Sequence, residues 1–203
     1  MIKGHGDDAY QYGCQAAVNF SSNVYYNVDL SGLKDHLAHH LDLIGSYPEP
    51  EPFGLEKELA DRNRLLPDEV CVTNGATEAI YLIAQAFRQS VSAVLQPTFS
   101  EYADACRMHG HRLVPLYQLP DARCGYRLQE EVQLLWICNP NNPTGQVVEK
   151  SWLCQLLEQN PQVLFIIDQS YEYFTLHPLF TPEEALRYPH LVLLHSMTKR
   201  YAI

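Results

Sequence analysis

The chain has 203 residues, 46% of them apolar and 19% charged, a length that suits one large domain or two small ones and can bury a core. Such a balance excludes intrinsic disorder, and no run reaches the roughly 18 consecutive apolar residues of a membrane-spanning helix. The 14 Lys and Arg against 24 Asp and Glu give a formal net charge of −10, with no basic stripe, which argues against nucleic acid as a partner.

The start Met1-Ile2-Lys3-Gly4-His5-Gly6 has no apolar segment of signal-peptide type, so a soluble, cytoplasmic location is expected. Residues 30–43 are predicted helical. His36, His39 and His40 fall there at i, i+3 and i+4; with no carboxylate or cysteine partner at ligand spacing, they are expected to form a solvated helix face and no metal site. The run Tyr47-Pro48-Glu49-Pro50-Glu51-Pro52 breaks helix, because proline lacks the backbone donor and clashes with the preceding turn. A helix over 54–64 follows, then a strand over 70–73, the turn Asn74-Gly75, and a helix striped by Ile80, Ile83, Ala84 and Phe87.

Further along, strands are predicted over 93–95, 113–116, 134–138, 163–168 and 191–195. Helices are predicted over 100–109 and 149–159, with a connection through 182–186. Continuous apolar strands between amphipathic helices imply an α/β fold, a mostly parallel sheet covered on both faces as a three-layer α/β/α arrangement. Cys14, Cys71, Cys106, Cys124, Cys138 and Cys154 form no C-x-x-C pair, and reduced structural thiols are expected.

In parallel sheets, ligands gather beyond the carboxyl ends of the strands. The exits read Asn74-Gly75-Ala76-Thr77, Pro97-Thr98-Phe99, Asn139-Pro140-Asn141-Asn142-Pro143-Thr144-Gly145, Asp168-Gln169-Ser170-Tyr171 and Ser196-Met197-Thr198-Lys199. Singly these are a turn, a helix cap or a solvated lysine. Together and in this order they resemble the fold-type-I pyridoxal-phosphate (PLP) enzymes, the class I and II aminotransferase superfamily. Within it they are similar to the branch of histidinol-phosphate aminotransferase and L-threonine-O-3-phosphate decarboxylase.

The resemblance implies pyridoxal 5'-phosphate as cofactor and a role for each exit. Lys199 is the implied Schiff-base lysine, which on release moves protons at the substrate's alpha carbon. Asp168 is the implied partner of the cofactor's ring nitrogen, and Asn142 and Tyr171 match donors to its phenolate oxygen. Phe99 matches the aromatic stacked on the ring. Gly75, Ala76 and Thr77 open a helix whose N–H groups and dipole suit a phosphate, with a glycine that lets backbone come close. Ser196 matches a phosphate hydroxyl, and Thr198 is a further candidate. Tyr47 matches a tyrosine that reaches the phosphate of a neighbouring subunit, which implies a homodimer. The implied organisation is an N-terminal segment with a dimer-contact elbow over residues 1–53 and a PLP-binding major domain over 54–203.

His5-Gly6-Asp7, Asn19-Phe20-Ser21-Ser22-Asn23 and Thr98-Phe99-Ser100-Glu101-Tyr102 look more like the decarboxylases of cobalamin biosynthesis than the transaminases. An amino-acid phosphate is therefore the expected substrate, with a histidinol-phosphate-type aminotransferase as the alternative. Relatives continue past the lysine with P-G-L-R-x-G-Y or similar and then a C-terminal small domain, whereas this sequence reads Lys199-Arg200-Tyr201-Ala202-Ile203. A C-terminally truncated, weakly active or inactive chain is the expectation if the protein ends there, and an inactive binding subunit stays open. A doubly wound nucleotide-binding domain is disfavoured, because Asn74-Gly75-Ala76-Thr77 is not G-x-G-x-x-G and no P-loop is present.

Overall fold

Two five-residue runs, Leu134-Leu135-Trp136-Ile137-Cys138 and Leu164-Phe165-Ile166-Ile167-Asp168, form the centre of a parallel sheet and are buried almost throughout. Such runs suit strands covered on both faces. In this computed structural model, which describes residues 22–25, 28–120, 125 and 127–201, the strands are β1 (Val91–Leu95), β2 (Arg112–Leu116), β3 (Leu134–Cys138), β4 (Leu164–Asp168) and β5 (Leu191–Leu194). The helices are α1 (Ser31–His39), α2 (Phe53–Asn63), α3 (Gly75–Ala86), α4 (Glu101–Met108), α5 (Lys150–Gln159), α6 (Pro182–Ala185) and α7 (Thr198–Tyr201). His5-Gly6-Asp7, Asn19-Phe20-Ser21, Cys14 and Cys124 lie outside the described residues.

The chain forms two compact units, Asp42–Ser196 and a smaller one of Met1–Leu41 with Met197–Ile203. The larger holds the five-stranded sheet, ordered β2-β1-β3-β4-β5, with every pairing parallel. From β1 the chain turns outward to β2, then returns to place β3 on the other side of β1. The topology therefore switches between β1 and β3, where an open α/β sheet has a crevice at its carboxyl edge.

Side-chain alternation divides the core into two layers. Leu135, Ile137, Phe165 and Ile167 meet Leu153, Leu156 and Leu157 of α5 on one face. Leu134, Trp136, Cys138 and Ile166 meet Ile80 and Ala84 of α3 and Tyr102, Ala105 and Cys106 of α4 on the other. This is the expected three-layer α/β/α arrangement.

Two expectations are corrected. Residues 70–73 form no strand: no described strand lies beside them, and the Val72 N–H donates to the Glu56 carboxylate at 3.0 Å instead of entering a ladder. The helix predicted over 30–43 ends at His39, and a 3₁₀ turn, Leu41–Gly45, follows. None of the α1 residues is buried, and beyond its end the His40 N–H turns to the Leu37 carbonyl at 3.1 Å while the His40 Nδ1 bonds the His36 carbonyl at 2.7 Å, the acceptor that a continuing helix would use. The connection at 182–186 contains the short helix α6, started by a capping box between Thr181 and Glu184.

Candidate active site

Asp168 ends β4 with only 4% of its surface exposed. Position parity puts it on the α3 and α4 face, where it follows Ile166 by two residues and pairs in register with Cys138 of β3. A carboxylate is buried at low cost only when its oxygens accept hydrogen bonds. Here the Ser170 N–H donates to Oδ1 at 2.8 Å, and the Tyr102 hydroxyl donates to Oδ2 at 2.7 Å.

Tyr102 is itself only 2% exposed, stacked 5.8 Å from Trp136 and met edge-on by Phe99, also at 5.8 Å. Burial, and then the negative charge of Asp168, push its hydroxyl well above the ordinary value of 10.0. It is a fixed donor and holds its proton. Tyr102 has no role in the sequence-based expectations; its spacing of three from Phe99 across the start of α4, which puts the two rings together, is the signal that points to it. The Cys138 thiol, across from Asp168, is raised to about 11 by burial and by that carboxylate, and it is directed at the Pro140 carbonyl at 3.2 Å.

The two loops that flank the topological switch are tied together by one side chain. Asn141 accepts from the Thr98 hydroxyl at 2.9 Å, and its amide donates to the Pro97 carbonyl at 2.9 Å and to Thr144 Oγ1 at 2.8 Å. The loop base is pinned by Asn139, which exchanges two hydrogen bonds with the Val148 backbone at 3.1 and 2.8 Å. Phe99 and half-buried Asn142 thus stand on segments held to each other. Tyr171, three residues after Asp168, packs on the same apolar layer as Phe99 and Tyr102 and meets the Phe174 ring edge at 6.1 Å.

Gly75, Ala76 and Thr77 form the first turn of α3. Gly75 has φ +79°, and a Cβ added there would meet nothing within 4 Å. Glycine is therefore required by the backbone conformation and not by crowding from the protein, which refines the close-approach expectation. No side chain caps α3. The Asn74 N–H is taken by the Glu78 carboxylate and the Gly75 N–H by the Thr73 carbonyl at 2.8 Å, while the N–H groups of Ala76 and Thr77 have no intrahelical partner by helix geometry.

Ser196 is half-buried at the exit of β5 and belongs to the larger unit with Gly75, Ala76, Thr77, Phe99, Asn142, Asp168 and Tyr171. Tyr47 also belongs to that unit, in the proline-rich elbow, with a relative exposure of 102%. Thr198 and Lys199 lie in α7 of the smaller unit, where the Lys199 carbonyl accepts from the Tyr25 N–H at 2.9 Å.

Comparison with known proteins gives a consistent set of similarities. The family described as "Aminotransferase class I and II" matches residues 16–203. The histidinol-phosphate aminotransferase of Buchnera aphidicola subsp. Diuraphis noxia is 29% identical over 198 residues, covering 89% of this chain and 52% of that protein. Histidinol-phosphate aminotransferase 1 of Pasteurella multocida (strain Pm70) is 31% identical over 167 residues, covering 77% of this chain and 46% of its own length. Among solved structures, the L-threonine-O-3-phosphate decarboxylase from Porphyromonas gingivalis superposes with TM-score 0.86 at 38% identity, covering 92% of this chain and 57% of that one. The chain spans about half the length of the relatives it matches.

Proposed function

Because the chain belongs to the class I and II aminotransferase family, we propose that it forms the cofactor-binding part of a PLP-dependent enzyme acting on a phosphorylated amino acid, an L-threonine-O-3-phosphate decarboxylase. The observation that carries this reading is the 38% identity over 92% of the chain to the Porphyromonas gingivalis decarboxylase. An aminotransferase acting on histidinol phosphate is the second reading, supported by the curated relatives at 29% and 31% identity. An inactive binding subunit is the third, and it predicts cofactor binding without turnover.

The residues fit pyridoxal 5'-phosphate. Asp168 is a buried carboxylate positioned by two donors, and each of its oxygens keeps a free lone pair for a further N–H. The first turn of α3 is uncapped, with open space at Gly75, as an anion cradle requires. When bound, the cofactor supplies an electron sink for the bond broken at the substrate's alpha carbon.

The chain's own groups do the rest. Asp168 would accept from the protonated ring nitrogen and so keep that proton in place. Asn142 and Tyr171 would donate to the ring oxygen, and Phe99 would cover a ring face and exclude water. The N–H groups of Ala76 and Thr77, approached across the open face of Gly75, and the Ser196 hydroxyl would take the phosphate, with Thr198 as a further hydroxyl. Lys199 would hold the cofactor covalently and, once displaced, carry the proton at the alpha carbon. Tyr47, exposed on the elbow, would reach the phosphate of a second copy in a homodimer.

A cytoplasmic location belongs to this proposal; no helix among the described residues is long and apolar enough to cross a membrane. A decarboxylase of this substrate would place the protein in cobalamin biosynthesis. Two assays on the intact protein separate the readings. Threonine phosphate should yield carbon dioxide, and histidinol phosphate with 2-oxoglutarate should yield little glutamate. Glutamate without carbon dioxide would replace the first reading by the second.

A further inference from the structure

The β4–β5 ladder ends at the Asp168–Leu194 pair and one more backbone bond, from the Gln169 N–H to the Leu194 carbonyl at 2.8 Å. Beyond it, two short segments leave the sheet side by side in the same unit. One runs through His195 to Ser196; the other turns at Gln169–Glu172, closed by the Glu172 N–H donating to the Gln169 carbonyl at 2.9 Å. Across this gap the His195 Nδ1 stands 3.1 Å from the Glu172 Oε1, with both side chains about two-thirds buried at 31% and 28% exposure.

The ring's other nitrogen settles the direction of that bond. Nε2 is buried and has no hydrogen-bond partner among the described residues, and an N–H left there would be desolvated without an acceptor. A neutral ring therefore carries its proton on Nδ1 and donates it to the Glu172 carboxylate. Each partner is the immediate neighbour of a site candidate: Glu172 follows Tyr171, and His195 precedes Ser196.

We propose that the His195–Glu172 pair is a positioning clamp for the cofactor site, fixing the separation between the Tyr171 hydroxyl and the Ser196 hydroxyl where backbone pairing no longer does so. The inference rests on the PLP reading above. In that reading Tyr171 addresses the ring oxygen and Ser196 the phosphate, so their separation sets how well the two ends of one rigid ligand are matched at once. Neither His195 nor Glu172 needs to touch the cofactor.

Equilibrium titration of the intact protein with PLP tests the clamp, with thermal unfolding of the cofactor-free protein alongside. Glu172→Leu and His195→Phe, each removing one end, should weaken binding by about tenfold, and the double variant should lose no more than either single one. His195→Asn, whose side-chain amide donates from near the Nδ1 position, should bind within about twofold of wild type. The unfolding midpoints of the cofactor-free variants should stay at the wild-type value. Unchanged PLP affinity in Glu172→Leu, additive losses in the double variant, or unfolding midpoints that fall with affinity would each overturn the clamp and leave the cofactor reading standing. A wild-type protein that takes up no PLP would overturn both.

Discussion

Tyr102 shows how one phenol can serve two neighbours at the candidate site. Its hydroxyl satisfies Asp168 at 2.7 Å, and its ring meets Phe99 edge-on at 5.8 Å, so it fixes both the carboxylate expected at the ring nitrogen and the aromatic expected on the ring face. Tyr102→Phe keeps the packing and removes the donor, leaving one Asp168 oxygen desolvated. The expected cost is about 1–3 kcal/mol in urea unfolding; an unchanged midpoint would show that the bond contributes nothing. There is a pH consequence too. The phenol's value is raised in the folded state from 10.0, so its stabilisation is complete below about pH 10 and is lost as the pH rises toward the folded value, because only the unfolded chain then gives up the proton. Alkaline unfolding followed by circular dichroism should therefore begin later in Tyr102→Phe, measured relative to its own neutral-pH stability.

The thiols make a separate test at the same scale. Burial raises Cys106 and Cys138 to about 11, whereas Cys71 is exposed. Since the thiolate is the nucleophile, a brief alkylation of the native protein at neutral pH should label Cys71 ahead of Cys106 and Cys138, as read by peptide mass spectrometry. Rapid labelling of Cys138 would contradict the packing described around Asp168.

Among the elements, α3 depends on its first residue. Gly75 adopts φ +79°, a region that costs a residue with a Cβ about 1–2 kcal/mol even with open space around it. Gly75→Ala should lose that much stability in chemical denaturation and should also weaken phosphate-dependent cofactor binding; a stability equal to wild type would mean the turn relaxes. Strands β3 and β4 were legible in the sequence because uninterrupted apolar runs of this length, Leu134 to Cys138 and Leu164 to Ile167, bounded by polar residues, suit strands buried on both faces. The expected strand at 70–73 was not resolvable in the same way. Strand identity depends on a neighbour, and Val70-Cys71-Val72-Thr73 has none among the described strands. The helix over 30–43 was overextended for a related reason: α1 buries nothing, so its length is set locally by the His40 side chain bonding the His36 carbonyl, a contact that periodicity does not report.

At the scale of the whole molecule, the order β2-β1-β3-β4-β5 puts the topological switch beside the loops that carry Phe99 and Asn142, and it places Asp168 and Ser196 at successive exits of the same sheet edge. Phe99, Asn142, Asp168, Tyr171 and Ser196 were legible from their place after strands together with family resemblance, and Tyr47 and the Gly75-Ala76-Thr77 turn from resemblance, since no described strand precedes that turn. The supports that hold them, Tyr102, Asn141 and the His195–Glu172 pair, were not legible, because an aromatic, an amide or a histidine–carboxylate hydrogen bond gains its meaning from a partner distant in sequence. The similarity of residues 16–203 to the class I and II aminotransferases extends across both compact units, and Lys199, in the smaller unit, is where the proposed chemistry is most exposed to test. Incubation of the intact protein with PLP, borohydride reduction and peptide mapping should find the pyridoxyl mass on Lys199, and Lys199→Ala should abolish it. A reduced adduct that forms on another lysine, or that persists in Lys199→Ala, would contradict the account.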